Sequence, residues 1–371
     1  MADHAEIQTP EMQAQTGTMA VLLMAYGGPE SLDDVEPFLL DIRGGRPTSP
    51  ELVEEIRGRY AAIGGRSPLL EISRAQAAGL EEHLNLHPGD GEPRFRAFVG
   101  MRHWTPTIRQ AVAEIADSGL TECGPTDFVA LCLAPHYSRM SIGAYLAKLR
   151  EAVDEQERAG RRLQVTAVES WGDHPLFLDV VARKVREGLR RWPAEERAEV
   201  EILFTAHSLP ARIVEQEGDP YADQLLATAR GVAARLTRDT LDGDGSERPE
   251  PRWSFCYQSA GASSIPWLGP AIEEVIPERA AAGRKHLLVA PIGFVSDHVE
   301  ILYDLDVEAR QIAEKHGVRL ERTESMNTDP GFLAALSAIV REHLETEREH
   351  LKTEREHNTS PSSAARETVH V

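Results

Sequence analysis

Cysteine is scarce, with 3 in 371 residues, and Cys123, Cys132 and Cys256 form no C-x-x-C pair. That spacing argues against a cysteine-built zinc or iron–sulfur site, and the odd count suits reduced packing thiols. No apolar run reaches the length that spans a bilayer, and "MADHAEIQTPEMQAQTG" lacks the basic and apolar regions of a signal peptide, so a cytoplasmic chain is expected. Positive charge is in short supply too: 40 Lys and Arg against 60 Asp and Glu leave a net charge of −20. Such a surface is unsuited to nucleic acid or an anionic membrane. The chain has no G-x-G-x-x-G after a strand, no Walker spacing, no G-x-S-x-G elbow and no H-E-x-x-H. Dinucleotide, nucleotide, α/β-hydrolase and zincin chemistry therefore lack their fingerprints.

What is present is enough apolar residue (41%) for a real core, in a chain long enough for two domains. "MAVLLMAYGGP" is a continuous apolar run ended by Gly-Gly-Pro, the pattern of a strand buried on both faces. "RFRAFVGMRHW", "DFVALCLAPHYS", "QVTAVESW", "VEILFTAHSLP", "RWSFCYQSA" and "HLLVAPIGF" repeat it, with helical patterns between, including 50–62 and 69–85. Strands alternating with helices predict an α/β fold of two doubly wound, Rossmann-like domains, each a parallel sheet flanked by helices. The expected division is a loose N-terminus over 1–18, a first half over 19–172 and a second over 173–343. A charged helical extension built on the near-duplicated "HLETEREHLKTEREH", with a disordered tail, is expected over 344–371. Ligands in such sheets sit beyond the carboxyl ends of the strands. The rule places Tyr26, His136, Tyr137, His207, Ser208, Gln258 and Phe294 near one cleft.

Two features carry chemistry. His207, at the exit of "FTAHSLP", is either a loop residue donating to a backbone carbonyl or a neutral imidazole that takes a proton or a divalent metal. In "SDHVEILYDLDVEAR" a regular helix would set Glu300, Asp304 and Glu308 at roughly 0°, 40° and 80°, one carboxylate stripe beside an apolar one. That stripe is a solvated helix face or a row of oxygen ligands, and spacing alone leaves both open.

The ordered blocks "LLMAYGGP", "AIGGRSPL", "LAPHYS", "FTAHSLP", "GDPYADQL", "YQSAGASSIPWLGP" and "PIGFVSDHVEILYDLD" resemble those of ferrochelatases over about residues 19 to 340. The resemblance implies a class II chelatase-like fold around a porphyrin cleft and insertion of ferrous iron into a tetrapyrrole. It implies His207 and Glu300 as the metal- and proton-handling pair, Tyr26 on the opposite face, and Asp304 and Glu308 as an ion path. Arg43, Arg59, Tyr60, Ser67 and Tyr145 match porphyrin-contacting positions of the soluble Gram-positive branch that uses coproporphyrin III. Arg43, Arg46, Arg59 and Arg66 on one lip suit its four propionates. Ferrous iron is then a substrate and no cofactor is required. With no cysteine after Cys256, the iron–sulfur cluster of some actinobacterial members is not expected. A monomer that passes its product to a downstream haem-pathway enzyme completes the expectation. The alternatives are a protoporphyrin IX ferrochelatase, a chelatase for another metal and tetrapyrrole, and a non-catalytic haem carrier.

Overall fold

The computed structural model describes residues 17–86, 88, 92–120, 126–238, 251–261 and 265–359. Cys123, most of the loop over 242–252 and the tail from 360 lie outside the described residues.

The first half runs β1 (Thr18–Ala25), α1 (Val35–Ile42), α2 (Pro50–Ala62), α3 (Leu69–Leu86), β2 (Arg94–Met101), α4 (Ile108–Asp117), β3 (Thr126–Cys132), α5 (Ile142–Arg158) and β4 (Leu163–Val168). The second runs α6 (Pro175–Leu189), β5 (Glu201–His207), α7 (Ala211–Glu217), α8 (Tyr221–Arg238), β6 (Trp253–Gln258), α9 (Ile272–Ala281) and β7 (His286–Ala290). It continues through α10 (Val299–Leu302), a π turn over Asp304–Ala309, α11 (Arg310–Lys315), β8 (Arg319–Arg322) and α12 (Pro330–Thr359).

The strands form two four-stranded sheets with the orders β2-β1-β3-β4 and β6-β5-β7-β8, parallel throughout. This is the two-sheet α/β architecture that the strand pattern predicts. β1 and β5 occupy equivalent inner positions, and both are buried along nearly their whole length. That burial explains why each reads as an unbroken apolar run.

Local chemistry sets the helix starts. Ser49 accepts the Leu52 N–H and Pro50 opens α2, while Thr107 and Gln110 form a reciprocal capping box at α4. Two elements depart from simple patterning. The helix begun at His298 does not continue regularly: the Val307 and Glu308 N–H groups both donate to the Tyr303 carbonyl at 3.0 Å, which inserts the π turn. The charged repeat is no separate extension either. It is the outer end of α12, whose inner residues Phe332, Leu336, Val340 and Leu344 are buried. α12 packs on α3 of the first half and α6 of the second. One apolar core accordingly joins Val21, Leu23 and Leu80 to Phe204, Leu225 and Phe332.

Candidate active site

β5 delivers His207 to its carboxyl end. There Nδ1–H donates to the Ser208 carbonyl, which leaves the lone pair on Nε2. Nε2 lies 3.7 Å from Glu300 Oε1. That is too long for a hydrogen bond, but two donors at about 2.1 Å from one ion at a tetrahedral angle are themselves about 3.4 Å apart. The pair is therefore close to the spacing at which both can hold a single cation. Glu300 lies in the first turn of α10, and its carbonyl accepts from Gln258 Nε2 at 2.9 Å. Tyr221 Oη donates to the His207 carbonyl at 3.0 Å. Among the described residues no group of three or more His, Cys, Asp or Glu is arranged to hold a metal.

Tyr26 follows β1 and is 38% exposed. Its phenol is pushed up to about 12, first by burial and next by the Glu300 charge. Arg102 lies over both the Tyr26 and Tyr145 rings at 5.9 and 5.4 Å. The His103 ring lies 4.7 Å from that of Tyr26, tilted by 55°, and donates from Nδ1 to Asp41 at 2.7 Å. Tyr60, Ser67 and Tyr145 are buried rather than lying at the surface. A Cβ at Gly28 would lie 2.6 Å from Ser67 Cβ and Oγ and 3.8 Å from Tyr60 Oη, so only glycine lets the lip close on this turn. Burial, then the Glu300 charge, raises the Tyr60 phenol.

The carboxylate stripe divides into unlike environments. Asp304 is 5% exposed and accepts from Ser259 Oγ, while Glu300 and Glu308 are about one-third exposed. Ser259 adopts a left-handed φ of 59° just past β6, which directs its hydroxyl inward. Burial, reinforced by Glu300, raises Asp304 to about 7. Arg59 reaches across from α2 to Asp304 at 3.4 Å and Glu308 at 3.8 Å, also binds Glu55 at 3.0 Å, and covers the Tyr303 ring. It is the stripe's own counter-cation and is not an open lip residue. Arg66 pairs with Glu71 at 3.2 Å. Arg43 is exposed with its guanidinium unpaired among the described residues, and Arg46 donates from Nε to the Arg43 carbonyl at 3.0 Å.

Sequence reasoning missed Arg102, His103, His298 and Ser259. The rule of strand carboxyl ends could have found the first two, because "GMRHW" closes β2. His298 caps α10 and meets Phe294 edge-on at 4.6 Å. Burial lowers its pKa, and its Nδ1 is without a hydrogen-bond partner.

Parallel sheets in two equivalent halves, with an imidazole and a carboxylate 3.7 Å apart at the carboxyl end of one, define a class II chelatase fold. Residues 18–344 match the Ferrochelatase family model, and the chain belongs to that family. A ferrochelatase of Herpetosiphon aurantiacus is 39% identical over 329 residues, covering 89% of this chain and 99% of the relative. A coproporphyrin III ferrochelatase of Bacillus pumilus is 38% identical over 328 residues, covering 88% of this chain and 97% of its own. The solved structure of SirB from Bacillus subtilis with Fe3+ superposes with a TM-score of 0.51 at 12% identity, covering 88% of this chain and 95% of that one. At that identity the likeness concerns the fold alone.

Proposed function

We propose that this chain inserts ferrous iron into coproporphyrin III, giving Fe-coproporphyrin and releasing two pyrrole protons. The observation that carries the reading is the His207–Glu300 pair: an imidazole with its Nε2 lone pair free, 3.7 Å from a carboxylate, opposite Tyr26. A porphyrin seated between the walls has Tyr26 on one face and the pair on the other. A rigid cleft favours the bent macrocycle, whose nitrogen lone pairs face the arriving ion. His207 Nε2 accepts one pyrrole proton as the first iron–nitrogen bonds form, and Glu300 accepts or relays the second. The dipositive ion replaces two protons, so the macrocycle's charge is balanced throughout. Asp304 and Glu308 line the ion's approach, and Arg59 withdraws from them as it passes.

The lip supports the choice of porphyrin. Arg43 and Arg46 are the exposed cations that Glu55, Asp304 and Glu71 do not occupy, and guanidinium forks suit propionates. The Bacillus pumilus relative named for coproporphyrin III supports the same choice. Iron is the substrate and no resident cofactor is proposed. Among the described residues no helix is long and apolar enough to cross a membrane. We place the reaction in the cytoplasm, in a monomer whose product passes to a downstream haem-pathway enzyme.

The test is anaerobic turnover with ferrous iron, offering coproporphyrin III and protoporphyrin IX separately and following the visible bands. Catalytic turnover of coproporphyrin III alone supports the whole reading. Preference for protoporphyrin IX overturns the lip argument, and no turnover of either overturns the chelatase assignment for this substrate class.

A further inference from the structure

We infer that Gln76 is a positioning residue for Glu300, acting through Ser296 and Asn327; the inference rests on the metal-inserting role proposed for the His207–Glu300 pair. Gln76 belongs to α3, in the half that carries Tyr26, and is wholly buried. Its Nε2 donates one hydrogen to Ser296 Oγ at 3.0 Å and the other to the Asn327 carbonyl at 2.9 Å. Both acceptors lie in the opposite half, Ser296 in the turn after β7 and Asn327 in the turn after β8.

Those turns are already fastened to each other. The Asn327 N–H donates to the Val295 carbonyl at 2.9 Å. Its side chain holds Asp297 from both ends, Oδ1 accepting the Asp297 N–H at 2.9 Å and Nδ2 donating to Oδ2 at 2.8 Å. The left-handed φ of 43° that this geometry needs is one that asparagine tolerates better than most residues. Ser325 Oγ adds a bond to Asp297 Oδ1 at 2.6 Å. At the far end of the segment Arg322 grips Asp306 with two bonds of 2.9 and 2.8 Å. Glu300 sits between these fixed ends, in the first turn after His298. Gln76 therefore ties the segment that carries Glu300 to the wall that carries Tyr26.

Packing alone does not account for this glutamine. Its Oε1 is buried without a hydrogen-bond partner, a penalty that an apolar side chain would avoid. What the position supplies is the pair of donors. α3 also begins two residues after Ser67, which packs on Gly28 beside Tyr26, so one rigid helix connects the porphyrin wall to the turn that aims the acid.

Gln76→Met keeps the volume and removes both donors. We would measure Zn2+ affinity by competition with a chelating dye, coproporphyrin III affinity by fluorescence quenching, and anaerobic iron insertion. Support partners of metal ligands typically matter by about 10- to 100-fold. The expected result is Zn2+ binding and kcat each reduced by about tenfold or more on that scale, with the porphyrin Kd and far-UV circular dichroism unchanged. Asn327→Asp, which keeps the shape but sets a second carboxylate against Asp297, should give the same signature. The double variant should be no worse than the more damaging single one, because both act through one network. Unchanged metal affinity and turnover in either folded variant overturns the inference, and so does a parallel loss of porphyrin and metal binding, which marks general scaffolding. Failure of the underlying reading shows elsewhere: the parent chain would then have no Zn2+ site sensitive to His207→Ala. A parent site that Gln76→Met leaves intact removes only the role of Gln76.

Discussion

The Nδ1 hydrogen of His207 is committed to the Ser208 carbonyl, so the ring atom left with a lone pair is Nε2. His207→Ala should abolish insertion while leaving porphyrin affinity within about twofold, because Arg102, Tyr26 and the lip remain; single-turnover absorbance and fluorescence quenching separate the two. Glu300→Gln keeps the shape and loses the charge, and should lower kcat by about 100-fold or more if the carboxylate takes a proton. Asp304 gives a pH signature. Its folded pKa, about 7, lies above the ordinary 3.8. Between those values the folded chain holds a proton that the unfolded chain has released, so stability falls as pH rises through that window and is level above it. The advantage of Asp304→Asn over the parent should thus grow from about pH 4 to about pH 7, reaching a few kcal/mol in urea titrations. An advantage constant across that window would mean that Asp304 is ionised throughout. That His207 and Glu300 lie side by side was legible from a strand end and a specific motif. The commitment of Arg59 was not, because its partner Asp304 is 245 residues away and nothing local distinguishes it from a solvated lip arginine.

Seven of the eight described strands were legible, the inner ones because burial on both faces writes itself as an apolar run; β8, with one apolar residue in Arg319–Arg322, was not, while α2 and α3 were read from their helical patterns. α1 was hidden by Pro37, which a pattern search treats as a breaker although a proline in the first turn lacks only an N–H that would have no intrahelical partner. The π turn was invisible for a related reason: a regular 100° step per residue leaves no place for the extra residue that both Val307 and Glu308 reveal by sharing the Tyr303 carbonyl. The element-scale prediction concerns the turn after β1. Gly28→Ala brings a methyl within 2.6 Å of Ser67, and Ser67 leads into α3, so the lip must move. Porphyrin KM should rise more than kcat falls, with a stability loss of about 1–3 kcal/mol. An unchanged KM would mean that Ser67 yields without disturbing the lip.

Across the whole molecule, α12 decides how the halves relate. Its inner face packs on α3 and α6, and beyond Leu344 no described side chain of the helix is buried. A chain ending at residue 344 should keep its activity and lose less than about 2 °C in Tm, the shift that roughly 1 kcal/mol gives in a chain of this size. A larger loss, read by differential scanning calorimetry, would assign the charged repeat a structural role. The sequence suggested a division near residue 173 because strands and helices can be counted on either side of it. It gave no sign that a single core runs across that division, since which apolar faces meet is a matter of tertiary packing.

The same helix has a consequence for how the molecule is made. The face of α3 that receives Leu333, at Gly79, belongs to the first half, but its cover is the last element of the described chain. A ribosome completes β1 through β4 and the entire second sheet before that cover emerges. During that interval the nascent first half carries a bare apolar stripe, which is covered only once the inner turns of α12, Phe332 to Leu344, have emerged.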